Sequence, residues 1–151
     1  MEEAAKSFGP MMKLMFNEMG DLCSEFYKKY GKDALPIIAR VSAKYGVESA
    51  KIVQKMMPVK NMKDYAEMYK MMMTMVGEKL EIIKVSDDVF HFKTSQCPMG
   101  LERTSQELCE AMMISDNKML NTLLGHQVDT KLLKSLPAGD KCCEAIYSKK
   151  K

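Results

Sequence analysis

Seven side chains in this sequence have the chemistry to bind a soft metal, carry a redox change or attack a carbonyl: Cys23, Cys97, Cys109, Cys142, Cys143, His91 and His126. Cys97 stands directly before Pro98, a residue suited to the first turn of a helix. Its thiolate would then face unpaired backbone N–H groups and the positive end of a helix dipole. Cys109 follows twelve positions on. Along an unbroken helix those two sulfurs would lie about 18 Å apart, too far to share a metal. Cys142 and Cys143 are neighbours in a strand-like run and so point to opposite faces. Cys97 with Cys143 is the pair best able to meet, with Cys109 or Cys142 as additional ligands. Cys97 with His91 or His126 is geometrically possible as a Cys–His nucleophilic pair, though no local signature marks it. The plainer alternative is a buried, inert thiol, and Cys23, on an apolar helical stripe, is read that way. Paired CxxC knuckles, HExxH, a Gly-rich phosphate loop, a GxSxG elbow and a dinucleotide fingerprint are all absent from the sequence.

Positioning these groups requires a folded core, and 151 residues at 46% hydrophobic and 28% charged content are enough for one domain. The net charge of +3 comes from scattered lysines, with arginine only at Arg40 and Arg103. A nucleic-acid surface would gather Arg and Lys on one face, so that class is set aside. No apolar run approaches the ~20 residues of a membrane span. The opening MEEAAKSFGP lacks a secretory pattern, so the expected compartment is the cytoplasm, where thiols stay reduced. Seventeen methionines and no tryptophan suit an adaptable apolar interior.

The N-terminal half reads as helical. Residues 2–9 read as a short helix or arm ending at Gly9, and Pro10 can open the next helix. A helix from Met12 to Tyr30 carries Met12, Met15, Phe16, Met19, Leu22, Cys23, Phe26 and Tyr27 at three-four spacing. A second helix starts after Asp33 and breaks at Gly46, and a third runs from Glu48 to Met57, stopped by Pro58. Asn61 caps a fourth, whose Tyr65, Met68, Tyr69, Met72 and Val76 give so wide an apolar face that it calls for two partners. From residue 78 the period changes. KLEIIKV and VFHFKT, separated by Ser86-Asp87-Asp88, read as a hairpin with Phe90 and Phe92 on one face. A helix from Pro98 carries Leu101, Leu108, Cys109 and Met112, and Asp116 caps a short helix ending near Gly125. Strands at 127–133 and 141–148 flank the turn Pro137-Ala138-Gly139-Asp140. The expected fold is α+β: one domain over 1–151, with a helical half at 2–77 packed on a roughly four-stranded antiparallel sheet within 78–148.

The segments CPMG, LC and GDKCCEAIY resemble the four-vinyl-reductase-type domain, a hydrocarbon- or small-molecule-binding domain. They are most similar to the related 2-amino-thiazoline-4-carboxylate hydrolase-like family. The resemblance covers roughly residues 78–148. It implies a dimeric α+β domain with an apolar pocket between helices and sheet and, in some relatives, a zinc ion held here by Cys97 and Cys143. The sequence departs from that pattern at Ser135 and Leu132, which stand where a cysteine and an acidic ligand are expected.

The leading expectation is a binding module for an apolar or thiol-type small molecule, lined by Tyr65, Met68, Tyr69, Met72, Phe90, Phe92 and Met112, with a sensor or carrier role. The second, implied by the resemblance, is a hydrolase opening a C–N bond of a small cyclic amidine-like substrate, with Cys97 as nucleophile or metal ligand and His91 or Asp140 as the acid–base group. The third is a structural homodimerisation module built on the Met68–Val76 face.

Overall fold

Local chemistry explains where each element begins and ends in the computed structural model, which describes residues 2–151. Helix α1 spans Glu2–Tyr30 with Pro10 inside it, so the expected break before Pro10 is not made. The turn Gly31–Asp33 leads into α2, Ala34–Met56. This helix runs straight through Gly46, because Gly46 is a contact rather than a breaker. A Cβ there would overlap the Ser115 carbonyl oxygen of the facing helix. Helix α3, Met62–Met75, is capped as expected: the Asn61 side chain accepts from the Asp64 N–H at 3.0 Å, and the Asp64 carboxylate accepts from the Lys60 N–H at 2.8 Å.

Strands β1, Leu80–Val85, and β2, Val89–Thr94, form the expected hairpin. The Ser86 N–H donates to the Val89 carbonyl at 2.8 Å, and the Ser86 hydroxyl accepts from the Val89 N–H at 3.1 Å. Helix α4 runs unbroken over Gln106–Leu124. Pro98 does not open it. Ser105 does, its hydroxyl accepting from the Leu108 N–H, and residues 97–105 are turns. Asp116 does not cap a separate helix either; it lies mid-way along α4. Gly125, at φ 69°, closes the helix in the left-handed conformation that glycine takes without strain. Strand β3, Val128–Lys134, then leads through a 3-10 turn at Leu136–Ala138 to β4, Cys143–Lys149.

All pairings are antiparallel and the strand order is β1-β2-β4-β3. The fold is α+β, with the helical N-terminal half packed against a four-stranded open sheet. On the covered face Phe90 lies opposite Tyr147 and Phe92 opposite Ala145. Alternate residues of β2 are buried, as the period of two requires. The main core joins that face to Met62, Tyr65, Tyr69 and Met73 of α3 and to Leu120 and Leu123 of α4. A second cluster joins Ala34 and Ile38 of α2 to Leu101, Leu108 and Met112, with Cys23, Phe26, Cys97 and Met99 packed against it.

Two expectations about faces change. Met68, Tyr69, Met73 and Val76 are buried within the chain, so the wide face of α3 is filled by its own sheet and helices and is not free for a second subunit. On α1, Met15, Met19 and Leu22 face outward. Its inner line is marked instead by Gly9, pressed on the Met75 carbonyl, and Gly20, pressed on the Met99 carbonyl. No helix among the described residues is long and apolar enough to cross a membrane.

Candidate functional site

The two core clusters meet where the loop after β2, the first turns of α4 and the start of β4 converge. Three of the five cysteines lie there. Cys97 leaves β2 into a turn closed by the Gly100 N–H on the Cys97 carbonyl at 3.0 Å, with Gly100 at φ 66°. Burial pushes its thiol pKa up. The backbone N–H groups of Leu101, Met99 and Gly100 act the other way, and the nearby Glu102 carboxylate adds to the rise. The N–H groups foreseen for Cys97 are therefore supplied by a turn, not by a helix start. Glu102 also fastens the turn, accepting from the Cys97 N–H at 2.9 Å.

Cys143 opens β4 opposite Thr94. Its sulfur accepts from the Leu136 N–H at 3.3 Å, and burial raises its thiol to about 11. Cys109, buried on α4, is raised to about 12, by burial first and then by the potential charges of Cys143 and Cys97. The same three thiols act on Tyr69, whose hydroxyl is held well above its ordinary value chiefly by burial. Cys97, Cys143 and Cys109 are thus electrostatic neighbours around Tyr69. The ~18 Å separation expected for Cys97 and Cys109 presupposes a helix from Pro98, whereas α4 begins only at Gln106. Cys142 is buried just before β4, and Cys23 lies on α1 in the second cluster, its pKa raised by burial.

With such pKa values the thiols are protonated near neutrality and behave as small apolar groups. Among the described residues no group of three or more His, Cys, Asp or Glu is placed to hold a metal. Ser135 and Leu132 supply no ligand where the resemblance asked for two.

Asp116, expected as a helix cap, also acts electrostatically on Tyr69. Asp116 accepts a hydrogen bond from the Tyr147 hydroxyl at 3.1 Å. Burial raises its pKa to about 6, and that hydrogen bond partly opposes the shift. The Tyr65 hydroxyl, fully buried and within the influence of Asp116, has no hydrogen-bond partner. A signal for Asp116 was present in the sequence. It falls on the same helical stripe as Cys109, Met112, Leu120 and Leu123, and an acid on an apolar stripe faces the interior.

The expected lining residues divide between the clusters. Tyr65, Tyr69, Phe90 and Phe92 pack on one another, with ring centroids 4.7 Å apart for Phe90–Phe92 and 5.2 Å for Tyr69–Phe92. Met68 and Met72 extend that group, while Met112 belongs to the second cluster. The catalytic candidates are not brought together. The imidazole Nε2 of His91 is 2.9 Å from Glu144 Oε1, and Glu144 lies lower than an ordinary carboxylate, first because of that bond. Asp140 accepts from the Ser135 N–H at 2.8 Å. Each is used locally, and neither contacts Cys97. His126 contacts only the neighbouring Gln127 carbonyl.

Two solved structures share this fold. One is the phenol-responsive sensory domain of the transcription activator PoxR with phenol: TM-score 0.62 and 17% identity, covering 89% of this chain and 74% of that one. The other is a trafficking protein particle complex subunit 3 from Naegleria fowleri covalently bound to palmitic acid. It gives a TM-score of 0.67 and 16% identity, covering 93% and 95% of the two chains. At these identities the likeness is one of fold. No protein-family model and no curated protein matches the chain.

Proposed function

We propose that this domain binds an apolar small molecule carrying one hydrogen-bonding group, in the interior where the aromatic cluster, the three thiols and Asp116 meet, and acts as a sensor or carrier. The single observation that carries the reading is the buried Tyr65 hydroxyl without a partner beside Asp116. A buried donor left unmade costs about 1–3 kcal/mol, and an occupant bearing an acceptor or hydroxyl would recover it. The side chains packed around Tyr65 are Tyr69, Phe90 and Tyr147 within a core rich in methionine, surroundings that favour an apolar occupant. The phenol and the palmitic acid in the two similar structures support the same class of occupant. Kinship with the four-vinyl-reductase-type domain belongs to this proposal and rests on the cysteine and Gly-Asp segments.

The hydrolase reading stands second, because the hydrogen bonds of His91 and Asp140 go to Glu144 and to the Ser135 N–H.

Native mass spectrometry of untagged protein, with displacement of a hydrophobic dye by phenol and by palmitic acid, tests the proposal. The expected result is a retained small molecule, or saturable dye binding at one site per chain that one of the two probes displaces. A bare mass together with no saturable binding of dye, phenol or palmitic acid would overturn it.

A further inference from the structure

One acid in the interior has no opposite charge beside it. Asp116, mid-way along α4, accepts a hydrogen bond from the Tyr147 hydroxyl at 3.1 Å. Among the described residues no ion pair uses it. The residue keeps partial exposure while its carboxyl is desolvated, and burial raises its pKa to about 6. It is therefore mostly ionised near neutrality. The ionisable groups that feel its charge are Tyr65, Tyr69, Tyr147 and Cys109. All four are held above their ordinary values and keep their protons at that pH, so none is a cation. A charge in such surroundings is ordinarily paired.

The surroundings also suit a cation. The ring of Tyr65 lies 5.9 Å from that of Tyr69 and 6.2 Å from those of Phe90 and Tyr147. Aromatic faces attract a positive group held within about 6 Å of the ring centre. The Tyr65 hydroxyl, fully buried and without a partner, leaves a second oxygen free to accept. Met62, Met68 and Met73 belong to the same core, and their unbranched side chains can repack around an apolar body.

We infer that the molecule this interior takes is an amine: a protonated nitrogen on an apolar body, the nitrogen donating to the Asp116 carboxylate and to the Tyr65 hydroxyl oxygen, the body lying among the rings of Tyr69, Phe90 and Tyr147. The inference rests on the reading above that the interior holds a small molecule, and adds the charge of its polar group. An ammonium brings three N–H donors and the missing counter-charge. An alcohol of the same shape fills the same apolar space and leaves Asp116 uncompensated.

Calorimetric titration of the full chain with benzylamine and with benzyl alcohol tests this. At about pH 8 the amine is expected to bind about tenfold or more tighter than the alcohol, the gain of a charge-assisted bond at a desolvated carboxylate. Lowering the pH through 6 protonates Asp116 while the amine stays charged, so at about pH 5 the preference is expected to disappear. Asp116→Asn keeps an acceptor for Tyr147 and is expected to abolish the preference at both pH values, with the alcohol's affinity changed by less than about twofold. Far-UV circular dichroism matching the wild type shows that the variant is folded, and the pH comparison on the wild type decides the matter without it. Equal affinities at about pH 8, or a preference that survives at about pH 5 or in the folded variant, would overturn the inference. Binding of phenol or palmitic acid without binding of benzylamine would overturn it too, and in each of these cases the small-molecule reading stands. Absence of binding by every probe would overturn both.

Discussion

Tyr65 and Asp116 set opposing demands inside one core, and each gives a measurable consequence. Tyr65→Phe removes a buried hydroxyl that has no partner, so the ligand-free protein should gain about 1 kcal/mol in urea unfolding while the apolar probe binds less tightly. A loss of stability on that substitution would mean that the hydroxyl is satisfied. Asp116 has a folded-state pKa raised to about 6 from 3.8. The folded chain then holds that proton more tightly than the unfolded chain does. Its contribution is therefore fully present below about pH 4 and is lost as pH rises through 6. Two units correspond to roughly 3 kcal/mol. Asp116→Asn keeps an acceptor for Tyr147 and removes the titration. Stability measured from pH 4 to 7 should fall more steeply for the wild type than for the variant, and parallel curves would refute this account. At this scale the sequence displays the cysteines, but a helix assumed from Pro98 separates Cys109 from Cys97, and Asp116 reads as a cap. A Ser-Asp pair ahead of a polar stretch resembles a cap as closely as it resembles a helix interior, and the apolar stripe through Cys109, Met112, Leu120 and Leu123 is the signal that separates the two.

Element boundaries followed the same logic. The Asn61 cap, the Ser86 turn and the Gly125 terminus are local devices, written in adjacent residues, and they were legible. The continuity of α2 through Gly46 was not, because its cause lies on another helix. Glycine inside a helix costs about 1 kcal/mol relative to alanine when nothing else is at stake, so it reads as a break. Here the missing side chain lets α2 lie directly on the Ser115 backbone of α4. Gly46→Ala should accordingly lower stability by about 2–3 kcal/mol, an overpacking cost. Gly125→Ala, where a Cβ would meet nothing within 4 Å but φ is 69°, should cost only about 1 kcal/mol of backbone strain. Thermal melts that rank the two the other way would show that α2 and α4 can separate at little cost. The loop at 97–105 misled in the opposite sense. Pro98 is compatible with a first turn, but Ser105 holds the hydroxyl that caps α4, and pattern alone could not choose between two openers seven residues apart.

At the level of the molecule, the period change near residue 78 revealed an α+β fold before any coordinates, because strands and helices bury different repeats of the same apolar alphabet. Which apolar face meets which was hidden, since that depends on chain crossings. The face of α3 marked for a second subunit is covered by the chain's own sheet, while the uncovered stripes lie on α1 and α2. Strand order carries a further consequence. The strand latest in sequence, β4, lies between β2 and β3 rather than at an edge. During synthesis the hairpin β1–β2 can close at once, but β3 has no strand to pair with until residues 143–149 leave the ribosome. Until then Phe90 and Phe92 lack Tyr147 beside them, and the thiol cluster lacks Cys143. The nascent chain therefore passes through an interval with an open seam down the middle of its sheet, when it is most exposed to chaperones and to mispairing.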